Sequence, residues 1–310
     1  MSDSVMVDGR TRTFAVAGPA DGEPGRALVL VFHGSKQNAA KHRAFTGGMF
    51  DALGGVVAYL DGYRGNWNDA RRTSAFPARR DDIDDVGFTR AVIDRLTWTH
   101  HIDPARVFVV GYSNGGQMAM RLAHEVPELI AGVTVIAATM PAPDNFLLAG
   151  APPAPMPVLL LHGTKDPIVN YEGGEMSWWA RKAFKVGGRS LSAPETAAYF
   201  ATGNGITAAP VTTALPGGAG GTSVELTEYR RPDRPPVALY TVHGGGHTIP
   251  GPRKAPAILG RTSTDVNTAD LVNEFFGLAG TPASVLAPAP AVAGGRPTGA
   301  DRHRINSDGD

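Results

Sequence analysis

The stretch Val109-Val110-Gly111-Tyr112-Ser113-Asn114-Gly115-Gly116 decides the fold. The apolar run 107–110 predicts a buried strand, and the pattern of residues 114–125 predicts a helix directly after it. Gly-x-Ser-x-Gly at such a junction indicates a turn so tight that the positions flanking the serine must lack side chains. The turn strains the backbone of the serine and presents its hydroxyl at the carboxyl end of the strand. We therefore predict that Ser113 is a nucleophile.

Further apolar runs recur on both sides of this stretch, at residues 27–32, 56–60, 133–136, 158–161 and 237–242. Continuous rather than alternating apolarity is typical of strands that are covered on both faces, as in a parallel sheet. Helical patterns lie between several of these runs, and residues 82–100 show the three-and-four spacing of one buried helix face. The alternation predicts the α/β fold class, with an open, mostly parallel central sheet flanked by helices.

The two ends of the chain depart from this alternation. Two short strand patterns, Val5–Val7 and Thr11–Val16, flank the turn-favouring dipeptide Asp8-Gly9 and predict an N-terminal β-hairpin. Residues 281–310 are rich in Pro, Ala and Gly and lack a periodic apolar face, so we expect a disordered tail. Residues 1–280 are predicted to form a single catalytic domain.

Composition excludes several classes of function. The 29 basic residues balance the 29 acidic residues, which leaves no overall positive charge for binding nucleic acid. No apolar stretch reaches the roughly 18–20 residues of a membrane-spanning helix, so we expect neither a nucleic-acid nor a membrane partner. The absence of cysteine excludes thiolate metal sites, iron–sulfur clusters and cysteine nucleophiles, and we expect no metal or cofactor. The N-terminus shows no export signal, which indicates a cytoplasmic protein as written, or a secreted one if a signal peptide has been removed.

A serine hydroxyl needs a base to accept its proton, and His247 is the candidate. It lies in the glycine-rich segment 243–251, directly after the last strong strand pattern. The glycines that separate it from His243 disfavour the helix on which the two histidines would form a metal pair. Asp166, in a loop after the apolar run 158–161, is predicted to orient the imidazole. Asp166 then lies between the serine and the histidine in chain order, as this architecture requires.

The tetrahedral intermediate of acyl transfer needs hydrogen-bond donors for its oxyanion. We predict the backbone amide of Asn114, which follows the nucleophile, as one donor. The second is the amide of Ser35, in the loop after the early strand pattern 27–32. His33 is expected to brace this loop, and His162 is expected to pack near the site rather than serve as a second base.

These residues together resemble the serine esterases that include polyhydroxybutyrate depolymerases and feruloyl esterases, within the α/β-hydrolase superfamily. The similarity runs from about Val5 to Gly277 and is densest at residues 84–88, 102–107, 111–116 and 244–251. The resemblance implies that the matching serine, aspartate and histidine form a catalytic triad, in agreement with the chain order. Many members of the family are exported and carry cysteines around the site, whereas this chain has none, and Ser35 stands where the family's oxyanion loop often has cysteine.

Aromatic residues near the predicted site are candidates for binding the substrate. Trp67, in a loop after the run 56–60, and Tyr112, next to the nucleophile, are predicted to contact a phenolic ring or an apolar acyl chain. Trp178 and Trp179 follow the acid loop and are weaker candidates. Tryptophans also commonly cap a core. The segment 177–188 resembles an insertion and has two interpretations, a partial lid or a solvated basic face.

The sequence predicts a serine carboxylic ester hydrolase that acts through an acyl-enzyme. Its expected partner is a small-molecule or polymeric ester with a short-chain acyl, hydroxyalkanoate or aromatic, feruloyl-type acyl group. Two alternatives remain open at this point, a serine peptidase of the same superfamily and a catalytically silent hydrolase fold used for binding. The oligomeric state is left open.

Overall fold

The computed structural model describes residues 2–18, 23–150, 153–218 and 220–278. The predicted tail, 281–310, and the last two residues of the predicted catalytic domain lie outside the described residues. The strands are β1 (Ser2–Val7), β2 (Arg10–Ala17), β3 (Arg26–Phe32), β4 (Val56–Leu60), β5 (Ile102–Tyr112), β6 (Gly132–Ile136), β7 (Val158–Gly163), β8 (Gly174–Glu175), β9 (Arg189–Ser190), β10 (Val211–Ala214), β11 (Ser223–Tyr229) and β12 (Val237–His243). The α-helices are α1 (Ala39–Phe45), α2 (Pro77–Arg80), α3 (Asp85–His100), α4 (Asn114–Glu125), α5 (Trp178–Phe184), α6 (Ala193–Gly203) and α7 (Thr268–Phe276).

Within the described residues, the main sheet has ten strands in the order β1-β2-β4-β3-β5-β6-β7-β12-β11-β10. The central strands β4, β3, β5, β6, β7 and β12 pair in parallel, which confirms the mostly parallel sheet expected from their unbroken apolar runs. Because successive side chains of a strand point to opposite faces, β3 fills two cores at once. Leu28 and Leu30 belong to the core shared with α3, α4 and α6, and Val29 and Val31 belong to the core shared with α1 and α7.

The antiparallel strands lie at the two edges of the sheet. The N-terminal hairpin of β1 and β2 is present, and the two turn residues Asp8 and Gly9 both have positive φ. At the opposite edge, β10 and β11 extend the sheet by antiparallel pairing with β12. The sequence analysis did not predict these two strands. Every residue of β10 is exposed, so β10 lacks the apolar pattern by which the central strands were recognised.

The boundaries of two elements differ from the predicted ones. Helix α3 begins at Asp85 rather than at residue 82, because the side chain of Asp84 caps the helix by accepting a hydrogen bond from the Gly87 amide at 2.7 Å. Strand β5 begins at Ile102, before the apolar run that predicted it. Among the described residues, none of the helices has the length and apolarity needed to cross a bilayer.

Candidate active site

The nucleophile candidate lies at a sharp turn between β5 and α4. Ser113 has φ 54° and ψ −114°, a backbone conformation that residues with a side chain rarely adopt. A Cβ atom on Gly111 would overlap the carbonyl oxygen of Gly115, and a Cβ atom on Gly115 would overlap the carbonyl oxygen of Phe32. The glycines therefore have the steric role that was predicted for them, and the turn aims Ser113 at the carboxyl edge of the sheet.

Ser113, His247 and Asp166 form a chain of hydrogen bonds. The Ser113 Oγ atom lies 2.9 Å from Nε2 of His247, and Nδ1 of His247 lies 2.7 Å from Oδ2 of Asp166. With the imidazole proton on Nδ1, this nitrogen donates to the carboxylate, and Nε2 is free to accept the hydroxyl proton of Ser113. His247 and Asp166 are buried, whereas Ser113 is partly exposed. The structure thus brings together the three residues that the sequence selected.

The carboxylate of Asp166 is held in its ionised form. Its Oδ1 atom accepts hydrogen bonds from the amides of Ile168 and Val169, at 2.8 and 2.9 Å. Burial acts to raise the pKa of Asp166, but the charge and hydrogen bond of His247, with smaller contributions from His162 and the Ile168 amide, lower the pKa below its usual value. His162 donates from Nε2 to the Val169 carbonyl at 2.9 Å, so it packs behind the acid as expected.

Tyr112 lies behind the imidazole rather than in a substrate pocket. Its hydroxyl donates to the carbonyl of His247 at 2.7 Å, and its ring centroid is 5.2 Å from that of His247. The side chain is buried, and its ring also stacks on that of His42. The prediction that Tyr112 contacts the substrate is therefore wrong. The side chain of a residue adjacent to Ser113 points to the opposite face, and there Tyr112 supports His247.

The two predicted oxyanion donors face the same pocket as Ser113, since Ser35 and Asn114 both line it. Within the described part of the chain, no hydrogen bond engages the backbone amide of either residue. Asn114 is also the first residue of α4, so its amide is one of the unpaired donors at the positive end of the helix dipole. Both amides are available to a developing negative charge next to Ser113.

Trp67 is fully buried and does not line the pocket, so the prediction that it contacts the substrate is wrong. Its indole Nε1 donates to the carbonyl of His33 at 2.9 Å, in the segment that carries Ser35. Its backbone amide donates to Oδ1 of Asn114, also at 2.9 Å. One residue therefore connects the two segments that present the oxyanion amides. The indole N–H of a buried tryptophan needs a hydrogen-bond acceptor, and the His33 carbonyl supplies one to Trp67.

His33 supports the same loop, as expected. Its Nε2 atom accepts a hydrogen bond from the Gly62 amide at 2.9 Å, and Nδ1 donates to the Gly34 carbonyl at 2.8 Å. Burial lowers the pKa of His33 to about 4, so the ring is neutral at pH 7 and Nε2 stays an acceptor.

A buried ion pair, which the sequence analysis missed, completes this network. Asp69 is fully buried and accepts a hydrogen bond from Nδ2 of Asn114 at 2.6 Å. It also pairs with Arg71, whose Nε and Nη2 atoms lie 3.1 and 2.5 Å from its two oxygens. The available signal was the polar run from Asn66 to Arg71 directly after β4 and its turn, where only the tryptophan was singled out.

The walls of the pocket are largely apolar. The lining residues are Ser35, Arg71, Phe76, Ser113, Asn114, Gln117, Ala138, Ile168, Val169, Met176, Phe184 and Val186. Three of these come from the segment 174–190, which the two-stranded ribbon of β8 and β9 closes around α5. The predicted insertion therefore borders the site, but it does so through Phe184 and Val186 rather than through Trp178 or Trp179. Trp178 is 72% exposed and Trp179 is 37% exposed.

No group of three or more histidine, aspartate or glutamate side chains suited to a metal ion is found in the described ranges. His243 lies 3.8 Å from Glu225 on the neighbouring strand, away from the imidazole of His247, which is bound to Asp166. The structure thus gives each of these two histidines a separate carboxylate partner.

Comparison with known proteins places this site in a family. Residues 79–186 match the family described as Phospholipase/Carboxylesterase. The chain is 36% identical over 287 residues to a putative esterase, NocK, of Nocardia uniformis subsp. tsuyamanensis, an alignment that covers 88% of this chain and 81% of that protein. It is 28% identical over 236 residues to feruloyl esterase B of Piromyces equi, covering 73% of this chain but only 40% of that enzyme.

Among solved structures, an acetyl xylan esterase from Aspergillus awamori superposes with a TM-score of 0.57 at 16% identity. The superposition covers 90% of this chain and 100% of that one, and it supports the fold. The chain therefore belongs to the carboxylesterase family of the α/β-hydrolase superfamily.

Proposed function

We propose that this esterase cleaves carboxylic esters with Ser113 as nucleophile, His247 as general base and acid, and Asp166 as the group that orients His247. The observation that carries the proposal is the continuous hydrogen-bonded chain from the Ser113 hydroxyl through His247 to Asp166, at 2.9 and 2.7 Å. A silent binding fold would not need these three groups in a reactive alignment at the edge of an open pocket.

The reaction follows from this alignment. Nε2 of His247 takes the proton as the Ser113 Oγ atom attacks the ester carbonyl carbon, and Asp166 stabilises the imidazolium that forms. The carbonyl oxygen becomes an oxyanion and accepts hydrogen bonds from the amides of Ser35 and Asn114. Collapse of the intermediate breaks the bond to the alcohol, which leaves with the proton from His247. Water, activated by His247 in the same way, then releases the acid from Ser113.

Trp67 is a positioning residue in this mechanism. Oxyanion donors stabilise a transition state only when they are already aimed at the place where the charge develops. Ser35 and Asn114 belong to two different loops, and a shift of one loop against the other would separate the donors. The hydrogen bonds of Trp67 to His33 and to the Asn114 side chain oppose such a shift.

The apolar lining favours an ester whose acyl group is a short alkyl chain or an aromatic ring. Phe76, Ile168, Met176, Phe184 and Val186 offer such a group a surface from which water is excluded. The named activities of two similar proteins agree with these acyl groups: a feruloyl esterase with an aromatic group, and an acetyl xylan esterase with a short one. We extend the proposal to hydroxyalkanoate esters, free or in a polymer.

Hydrolysis of a panel of esters by wild type and Ser113→Ala tests the proposal. The panel contains p-nitrophenyl acetate, butyrate and octanoate, methyl ferulate and a hydroxybutyrate oligomer. We expect serine-dependent turnover on at least one ester, and a loss of kcat of at least about 10⁴-fold in the folded variant. Equal turnover by the two proteins would remove Ser113 from the mechanism. No turnover of any ester by a folded wild type would contradict the esterase function.

A further inference from the structure

Arg71 is the only charged residue among the described residues that line the pocket beside Ser113. The mechanism above does not use it. The side chain is 10% exposed, and its guanidinium carbon lies 5.7 Å from the ring centroid of Phe76, another pocket residue. A buried cation between an apolar wall and a nucleophile calls for an explanation, because desolvation of a charge is costly.

The carboxylate of Asp69 binds two of the three guanidinium nitrogens of Arg71. It binds Nε at 3.1 Å and Nη2 at 2.5 Å, and the Arg71 backbone amide donates to the same carboxylate at 2.9 Å. This forked contact fixes the plane of the guanidinium. The N–H groups of Nη1 lie on the side away from the fork, and Nη1 is not among the fully buried atoms that lack a partner.

The backbone on either side of Arg71 is also fixed. Arg79 donates from Nη2 to the carbonyls of Asp69 and Arg71, the second at 2.7 Å. The amide of the next residue, Arg72, donates to the Asn145 carbonyl at 2.7 Å. The orientation of Arg71 is therefore set before a substrate arrives, as in sites where a few polar groups in an apolar pocket determine specificity.

We propose that Arg71 forms a polar subsite, which binds an acceptor oxygen of the substrate other than the oxygens of the ester being cleaved. The proposal rests on the esterase function proposed above and narrows its substrate class to esters that carry a hydroxyl, carbonyl or carboxylate oxygen on the acyl or the alcohol part. The guanidinium donates to that oxygen from Nη1, while Asp69 keeps the fork in place. A hydrocarbon substrate leaves this donor without an acceptor in the pocket and is disfavoured.

Matched pairs of esters that differ by one oxygen-bearing group test the subsite. The acyl arms compare ethyl 3-hydroxybutyrate with ethyl butyrate, and monoethyl succinate with ethyl valerate. The alcohol arm compares 2-hydroxyethyl butyrate with propyl butyrate. For wild type, kcat/KM should favour the oxygenated ester by about 10-fold in at least one arm. Which arm responds distinguishes a hydroxyl from a carboxylate ligand, and the acyl part from the alcohol part.

Arg71→Met should abolish that preference, and Arg71→Lys should retain part of it, because an ammonium keeps the charge without the planar fork. Arg72→Met is the matched control, since Arg72 is exposed, lies outside the pocket lining and should leave the preference unchanged. The readout is the ratio of kcat/KM within a pair, so a general loss of activity does not affect it.

A purely structural role of Arg71, neutralising Asp69, predicts that Arg71→Met slows both members of each pair equally, and this result would overturn the proposal. So would a wild type with no preference in any arm. If Arg71→Met does not fold, competitive inhibition of wild type by butyrate, 3-hydroxybutyrate and succinate replaces the variant, and equal inhibition constants would contradict the subsite. The kcat/KM ratio is interpreted only for esters whose turnover is lost in Ser113→Ala. Failure of the subsite then appears as an unchanged ratio, whereas failure of the esterase function appears as turnover that does not depend on Ser113.

Discussion

The two sides of the pocket are held in different ways. The first, which we call the bonded wall, consists of residues 33–37 and 62–71, and the second, the α5 wall, consists of residues 174–190. In the bonded wall Trp67 is fully buried and makes two hydrogen bonds to the segments that carry the proposed oxyanion amides. In the α5 wall Trp178 is exposed, and Ala180 is the one buried residue of α5.

The α5 wall is tied to the rest of the molecule by short backbone contacts and by the side chain of Asn145, which donates to the carbonyls of Gly187 and Arg189 at 3.3 and 3.2 Å. Its chain pairs with residues 73–75 through the hydrogen bonds Ala75 N to Lys185 O and Gly187 N to Thr73 O, both at 3.0 Å. The ammonium group of Lys36 lies 5.0 Å from the ring centroid of Phe184 and so connects the two walls. In the proposed mechanism, the wall with the buried indole and ion pair positions the reacting groups, whereas the wall built on a largely exposed helix shapes the space for the substrate.

The largest expected effect concerns the acid stability of the bonded wall and of the neighbouring helix α1, which contains His42. Burial lowers the pKa of His33 to about 4 and that of His42, which hydrogen-bonds Gln37, to about 3, against 6.5 for an ordinary histidine. Below pH 6.5 the unfolded chain therefore binds protons that the folded chain excludes, so stability is full above pH 6.5 and falls as the pH decreases. Each histidine should contribute a loss of about 3 kcal/mol between pH 6.5 and 4.

His42→Phe tests this by removing one titrating group while keeping a ring in the aromatic stack with Phe45, Phe50 and Tyr112. Urea unfolding at a series of pH values should show a shallower decline of the unfolding free energy for the variant than for wild type. Parallel curves over this pH range would mean that His42 is not the buried neutral group described here.

The next effect, about 10-fold in kcat or about 1.4 kcal/mol, is expected from Trp67→Phe. The variant keeps an aromatic ring in the core but loses the indole donor to the His33 carbonyl. If Trp67 positions the oxyanion amides, kcat should fall with KM nearly unchanged, and a boronic acid transition-state analogue should bind about 10-fold more weakly.

Trp98→Phe makes the same chemical change at an 81% exposed position and should leave kcat unchanged. The melting temperature of Trp67→Phe will also fall, because a buried carbonyl loses its partner. A lower melting temperature with unaltered kcat and unaltered analogue affinity would assign Trp67 to stability alone and would break the contrast between the two walls.

The smallest effect is expected from Phe184→Ala in the α5 wall. Removing this ring enlarges the pocket, so the ratio of kcat/KM for p-nitrophenyl octanoate over acetate should rise about threefold, or about 0.7 kcal/mol. Trp178→Ala, on the same helix but outside the pocket lining, should leave the ratio unchanged. An equal change in both variants would show that α5 acts as a whole rather than through Phe184.

Local sequence was enough to predict the groups whose position follows from the backbone. The central strands were predicted because burial on both faces leaves unbroken apolar runs, and the Gly111–Gly115 turn was predicted because only glycine fits there. The positions of Asp166 and His247 followed from strand ends, since parallel strands bring their carboxyl ends to one edge. The structure places both beside Ser113.

Side-chain direction was not predictable in the same way. An aromatic residue near a nucleophile contacts either substrate or core, and the choice depends on which acceptors lie within reach. Trp67 meets the His33 carbonyl and Tyr112 meets the His247 carbonyl, and both acceptors are brought there only by tertiary folding. The ion pair of Asp69 and Arg71 was not predictable for a related reason, because a polar run after a strand is typical of any surface loop.

The base is the last part of the site in chain order. His247 follows Ser113 by 134 residues. At the usual rates of synthesis, about 5–20 residues per second, the serine is made roughly 7 to 27 s before the histidine. In the proposed mechanism, a growing chain then contains Ser113 and both oxyanion donors without a proton acceptor, so the Ser113 hydroxyl keeps the low reactivity of an ordinary serine throughout that interval. Ester hydrolysis therefore cannot begin before His247 has been synthesised, when the domain is nearly complete. A product that stops short of residue 247 should be inert toward esters.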